Sequence, residues 1–140
     1  MEKVSITNLQ PEHYQELLRA MKASYPGWAG SYWERGTIEH LLHIFPEGQY
    51  VVLVDGKVVG CALSIIVDYD KYGDEHTYDQ ITGNATFNTH DPDGDVLYGI
   101  EIFIDPAYRG LRLGRRLYDA RKDLCEHLNL KAIVFGGRIP

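Results

Sequence analysis

The chain is short of cysteine, of positive charge and of any long apolar run. Its 140 residues hold 2 cysteines, Cys61 and Cys125, with no C-x-x-C pair and no histidine at zinc-ligand spacing. A disulfide framework and a cysteine-ligated metal site are set aside, and reduced, buried thiols are expected, as suits a cytoplasmic protein. No stretch approaches the ~18 apolar residues of a membrane span, and Met1-Glu2-Lys3-Val4 does not open a signal peptide, so neither membrane nor secretion is expected. Acidic residues number 20 against 14 basic ones, a net charge of −6. That balance disfavours nucleic acid as a partner, because phosphate contacts supply most of such affinity. No glycine-rich turn follows the first predicted strand, which argues against a dinucleotide-binding doubly wound fold.

What is present is one domain's worth of strand and helix signals. Val4 to Leu9 reads as a strand. Pro11 suits a first helical turn, and Tyr14, Leu17, Leu18, Met21 and Tyr25 recur at helical spacing, predicting a helix over 11–24 that Pro26-Gly27 ends. Trp28, Tyr32 and Trp33 follow among small residues, and these rings either line a pocket or plug the gap between two helices. Thr37 is placed to cap a second helix with Ile38, Leu41, Leu42 and Ile44 inward, until Pro46-Glu47-Gly48 breaks it. Tyr50–Val54 and Val58–Val67 flank Asp55-Gly56, a hairpin signal.

Asp68 to Asp95 is too long and polar for a hairpin turn, yet it carries Tyr69, Tyr72, Tyr78 and Phe87. An ordered insertion is predicted, with its own short strand around Ala85 to Thr89. The insertion is dense in acids against the single base Lys71, whereas Arg109 to Lys122 is predominantly basic, so one end suits an anion and the other a cation. Asp91-Pro92-Asp93-Gly94-Asp95 fails as a calcium loop, because Val96 and Ile102 stand where glycine and glutamate are needed, and it reads as a turn. His40 and His43 lie three apart on one helix without a third ligand nearby, so no metal site is expected. Asn84-Ala85-Thr86 matches a glycosylation sequon and, without a secretion signal, is read as idle.

The organising stretch runs from Tyr98 to Arg116, Y-G-I-E-I-F-I-D-P-A-Y-R-G-L-R-L-G-R-R. Its first half is a strand stopped at Asp105-Pro106. Its second half opens a helix over about 110–129, with Leu113, Leu117, Ala120, Leu124 and Leu128 on a buried face and Arg115, Arg116, Asp119, Lys122 and Asp123 on a wet one. Unpaired N–H groups, the positive end of the helix dipole and several guanidinium groups converge where that helix begins, a place suited to phosphate. Lys131 to Phe135 is then a strand parallel to the one before the helix, ended by Gly136-Gly137.

Arg109-Gly110-Leu111-Arg112-Leu113-Gly114 resembles the Arg/Gln-x-x-Gly-x-Gly/Ala signature of the GNAT superfamily of N-acyltransferases, which grips the pyrophosphate of acetyl-CoA. Arg112 stands where that pattern usually has its middle glycine. The resemblance implies an α/β (α+β) fold, a mixed central sheet flanked by helices, with acetyl-CoA as co-substrate and an amine, small or peptidyl, as acceptor. It implies a cofactor site from Arg109, Gly110, Leu111, Arg112, Leu113, Gly114 and Arg115, with the strand edge Ile102, Phe103 and Ile104 holding the pantetheine. Glu101 is the candidate base, an acidic residue there being common in the family, and Tyr98 and His76 are alternatives. The competing reading of Glu101 is a carboxylate paired or hydrogen-bonded on the wet face of its strand. The element order resembles the first two-thirds of the GNAT fold, whose last helix and strands have no counterpart here. From Tyr50 onward, F-P-E-G-Q, I-V-D-Y-D-K-Y, T-H-D-P-D-G-D-V-L-Y-G-I and F-G-G-R-I-P resemble the GNAT-like domain that precedes a carbon–nitrogen hydrolase (nitrilase-like) domain in bacterial two-domain proteins. The expectation is thus a fragment of a longer chain and a candidate homo-oligomer. The alternative to an acyltransferase is a GNAT-shaped binding or regulatory module of a hydrolase.

Overall fold

The computed structural model describes residues 3–26, 32–73 and 75–138; the expectation for Trp28 lies outside them. Five strands form one sheet in chain order: β1 (Val4–Asn8), β2 (Tyr50–Val54), β3 (Lys57–Val67), β4 (Val96–Ile104) and β5 (Ala132–Arg138). The first four pair antiparallel, and β4 pairs β5 in parallel. A parallel pair needs a crossover, and α4 (Leu113–His127) supplies it. The mixed α/β sheet flanked by helices is the expected architecture.

Side-chain alternation assigns the layers. Val51, Cys61, Leu63, Ile65 and Val67 point to one face, where Leu17, Ala20 and Met21 of α1 (Tyr14–Ser24) and Ile38 and Leu41 of α2 (Arg35–Ile44) pack on them. Val52, Ala62 and Ile66 point to the other, against Leu113, Leu117 and Leu124 of α4. Each fully buried leucine contributes about 1.5–3 kcal/mol to this packing. The β2–β3 hairpin turns at Asp55 (φ 52°) and Gly56 (φ 83°), both left-handed as a two-residue hairpin requires.

β3 runs on past the start of β2, so one edge of residues 63–67 needs cover. Two side chains stand in for a missing strand. The Gln49 amide gives a hydrogen bond to the Ser64 carbonyl and takes one from the Ser64 N–H. His90 Nδ1 accepts from Ile66 N–H at 3.0 Å, and Asp91 N–H donates to the Ile66 carbonyl.

Several expected boundaries are corrected. α2 begins at Arg35 rather than Thr37 and has no side-chain cap bond. The predicted strand near Ala85–Thr89 does not exist, because Asn84, Ala85 and Phe87 are left-handed. The insertion instead carries α3 (Tyr78–Thr82), closed by a capping box between Thr77 and Gln80. α4 begins at Leu113 rather than Gly110, since Arg112 is left-handed at φ 57°. Leu128 is exposed, outside the buried stripe expected of it. β5 continues through Gly136-Gly137 to Arg138.

Candidate active site

The site is built around an irregularity in β4. Opposite β3, Leu63 faces Glu101 while Ser64 faces Gly99, which leaves Ile100 as an extra residue. The pairing with β5 also shifts between Gly99 and Glu101. Such a bulge re-aims the side chains that follow it. In strict alternation Tyr98 and Glu101 would point to opposite faces. Here both turn to the α1/α2 side: Tyr98 joins that core, and Glu101 meets residues of the α1–α2 connection.

Glu101 is 1% exposed, not on a wet face. Its Oε2 accepts from the Tyr25 hydroxyl and its Oε1 from the Trp33 indole N–H, each at 2.8 Å. Trp33 is itself fixed, its carbonyl taking the Tyr14 hydroxyl at 2.7 Å and its ring lying against Phe87. Its backbone is thus tied to α1 and its ring to the insertion, while its indole N–H holds the candidate base. Tyr98 is equally buried, and burial raises its hydroxyl pKa. The insertion brings His76 to it, with Nε2 3.2 Å from the Tyr98 hydroxyl and Nδ1 2.7 Å from the Gly73 carbonyl. A carbonyl only accepts, so His76 carries a proton on Nδ1, and neutral His76 offers Nε2 as acceptor for the Tyr98 O–H.

Beyond β4, Asp105 caps a short 3-10 turn at Pro106–Tyr108. The chain then passes Gly110 at φ 95° and Arg112 at φ 57° into α4. The N–H groups of Gly110, Leu111, Arg112, Leu113, Gly114 and Arg115 find no acceptor among the described residues, and no side chain caps the helix. Residues 109–112 are exposed, and no acidic residue lies in the first turn of α4. A Cβ built on Gly110 or Gly114 would meet nothing within 4 Å. The turn is a solvent-open run of backbone donors with arginines around it. Ile102, Phe103 and Ile104 pair with Ala62, Cys61 and Gly60 of β3 but have no register partner in β5 among the described residues, the last pair being Glu101 with Arg138.

Sequence reasoning missed Arg121. It is fully buried beneath the bulge, where its Nη2 donates to the carbonyls of both Leu63 and Glu101 at 2.7 Å. Its signal was its place at i+4 from Leu117, on the apolar stripe. The partners of Glu101 had no local signal, since Tyr25 and Trp33 lie some 70 residues upstream.

Fold and site together define a mixed α/β domain with a run of unengaged backbone donors just beyond the carboxyl end of β4. The chain matches the model described as the acetyltransferase (GNAT) family over residues 13–138, and it belongs to that family. It is 41% identical over 139 residues to the probable hydrolase YhcX of Bacillus subtilis (strain 168), covering 99% of this chain and 26% of that protein. It is 32% identical over 108 residues to the uncharacterized N-acetyltransferase YkwB of the same strain, covering 77% of this chain and 48% of that one. The chain thus spans about a quarter of the first relative's length and about half of the second's. Its fold is similar to that of the aminoglycoside N-acetyltransferase AAC(6')-Iy in complex with CoA, with a TM-score of 0.66 at 16% identity, over 96% of this chain and 77% of that one.

Proposed function

We propose that this chain is an N-acyltransferase that moves an acyl group from acetyl-CoA to an amine. The observation that carries the reading is the run of unengaged N–H groups from Gly110 to Arg115 at the start of a basic helix. In this reading those groups hold the diphosphate, with Arg109, Arg112 and Arg115 adding charge. The β4 edge at Ile102, Phe103 and Ile104 takes the pantetheine amides as it would take a further strand. CoA supplies the acyl group as an activated thioester.

Proton handling falls to the α1/α2 face. The acceptor amine has to lose a proton as it attacks. Glu101 receives it through the Tyr25 hydroxyl, which gives its own proton to Oε2 and takes the amine's in return. CoA leaves as its thiolate; Tyr98, kept protonated by burial, shares this face with its hydroxyl turned to His76. The acidic insertion draws cationic amines, small or peptidyl, toward this side, and two unbridged, buried thiols fit a cytoplasmic setting.

Titration calorimetry with acetyl-CoA tests the reading. Micromolar binding is expected, weakened about tenfold or more by Gly114→Glu, which sets a carboxylate among donors that await a diphosphate. A folded protein that evolves no heat with acetyl-CoA would sink it. That outcome favours a second reading, supported by the match to about a quarter of a hydrolase-named relative: a GNAT-shaped module serving a longer, hydrolase-containing protein.

A further inference from the structure

We infer that Arg121 is a positioning residue: it clamps the β4 bulge from the α4 side and thereby keeps Glu101 and Tyr98 on one face of the strand. The inference rests on the functional reading only in taking that face as the acceptor side.

Arg121 is a costly residue where it stands. It is fully buried, its Nε and Nη1 find no hydrogen-bond partner among the described residues, and burial lowers its pKa to about 10. A well-packed hydrophobe is often at least as stabilising at such a position. What the guanidinium does that no hydrophobe can is bridge two strands. One nitrogen, Nη2, gives a hydrogen bond to the Leu63 carbonyl and another to the Glu101 carbonyl. These two residues face each other on the near side of the register shift.

The surroundings are fitted to it. A Cβ on Gly99 would lie 2.9 Å from Nη1 and 3.0 Å from the Phe135 ring, so glycine there makes room for the guanidinium. The Phe135 ring lies 5.5 Å from the guanidinium carbon. On the opposite face the Tyr78 hydroxyl of α3 donates to the carbonyl of Ile100, the extra residue, at 2.9 Å. The bulge is thus gripped from both sides. Slipping it by one residue would turn Glu101 toward α4 and away from Tyr25 and Trp33.

The test reads a group that Arg121 does not touch. The indole N–H of Trp33 reports, by NMR hydrogen exchange, whether Glu101 still faces α1. In Arg121→Met its protection is expected to fall about tenfold or more, as in Glu101→Ala, while Arg121→Lys, which keeps a charged donor, restores most of it. Trp33 protection alone decides, because a slipped bulge would also move Ile102, Phe103 and Ile104, the strand edge given to the pantetheine. A folded Arg121→Met with wild-type protection at Trp33 overturns the inference, whatever acetyl-CoA does. Should the methionine variant not fold, Gly99→Ala displaces the same guanidinium, and unchanged Trp33 protection there overturns it equally. Loss of acetyl-CoA binding by the wild type would instead strike only the functional reading.

Discussion

At the scale of single residues, Arg112 shows what the family's middle glycine is for. The chain enters α4 through a left-handed residue at φ 57° and ψ 34°, a conformation that crowds any Cβ and costs a non-glycine residue about 1–2 kcal/mol. Arginine accepts that strain and sets a cation beside the unengaged N–H groups. Arg112→Gly is expected to raise stability by about 0.5–1 kcal/mol, net of the greater freedom glycine gives the unfolded chain. Thermal unfolding checks this, and a lower Tm would contradict it. Its neighbour Arg115 makes an ion pair with Asp119 at 3.6 Å, but both are well exposed, so the pair adds little stability and leaves the guanidinium free to turn toward an anion.

At the scale of elements, the insertion is the informative one. It is tied to the sheet by His90 on Ile66, Tyr78 on Ile100, His76 on Tyr98, and by the Asp95 carboxylate, which accepts from Tyr69 N–H and stands 3.7 Å from Lys131. The His90 tie is one that pH can cut. A backbone N–H only donates, so Nδ1 must stay unprotonated to accept it. The ring is stacked on Phe45, and burial holds its pKa below the ordinary 6.5, with Asp91 and Glu47 pulling the other way. The unfolded chain therefore takes up a proton first as the pH falls. Stability is full above about pH 6.5, declines as the pH drops through that value, and levels off once the folded imidazole is protonated too. Unfolding curves across that range should show the decline in the wild type and lose this component in His90→Asn, whose side-chain oxygen can accept the same N–H without titrating. An equal decline in the variant would assign the pH dependence elsewhere.

At the scale of the whole molecule, the sheet separates two chemistries. The donor-rich turn lies at the carboxyl end of β4 and the acidic insertion joins its amino end, about 26 Å away along a strand of this length. Both cysteines are buried in the cores between sheet and helices, Cys61 under α1 and Cys125 on α4, where burial raises its thiol pKa. Their reaction with a disulfide reagent should thus wait on opening of the structure, with Cys61 at mid-sheet slower than Cys125 near the end of α4. Rapid labelling of Cys61 in native protein would show that the core is looser than its packing. The element order, the hairpin at Asp55-Gly56, the parallel crossover and the donor-rich turn at Arg109–Gly114 were legible in the chain, because each rests on local signals: periodicity, turn residues, unpaired helix amides. The T-x-x-Q capping box that opens α3 at Thr77 is a local signal of the same kind. The face that Glu101 takes was not legible, because a single extra residue at Ile100 reverses the alternation that sequence reasoning assumes. Nor was the burial of Arg121, or the seating of Glu101 between Tyr25 and Trp33, because those contacts join residues some 20 to 76 positions apart. Sequence alone therefore determined most of the elements and the place of the donor-rich turn before α4. Tertiary structure decided which side chains share a face, since register and long-range hydrogen bonds exist only once strands have paired.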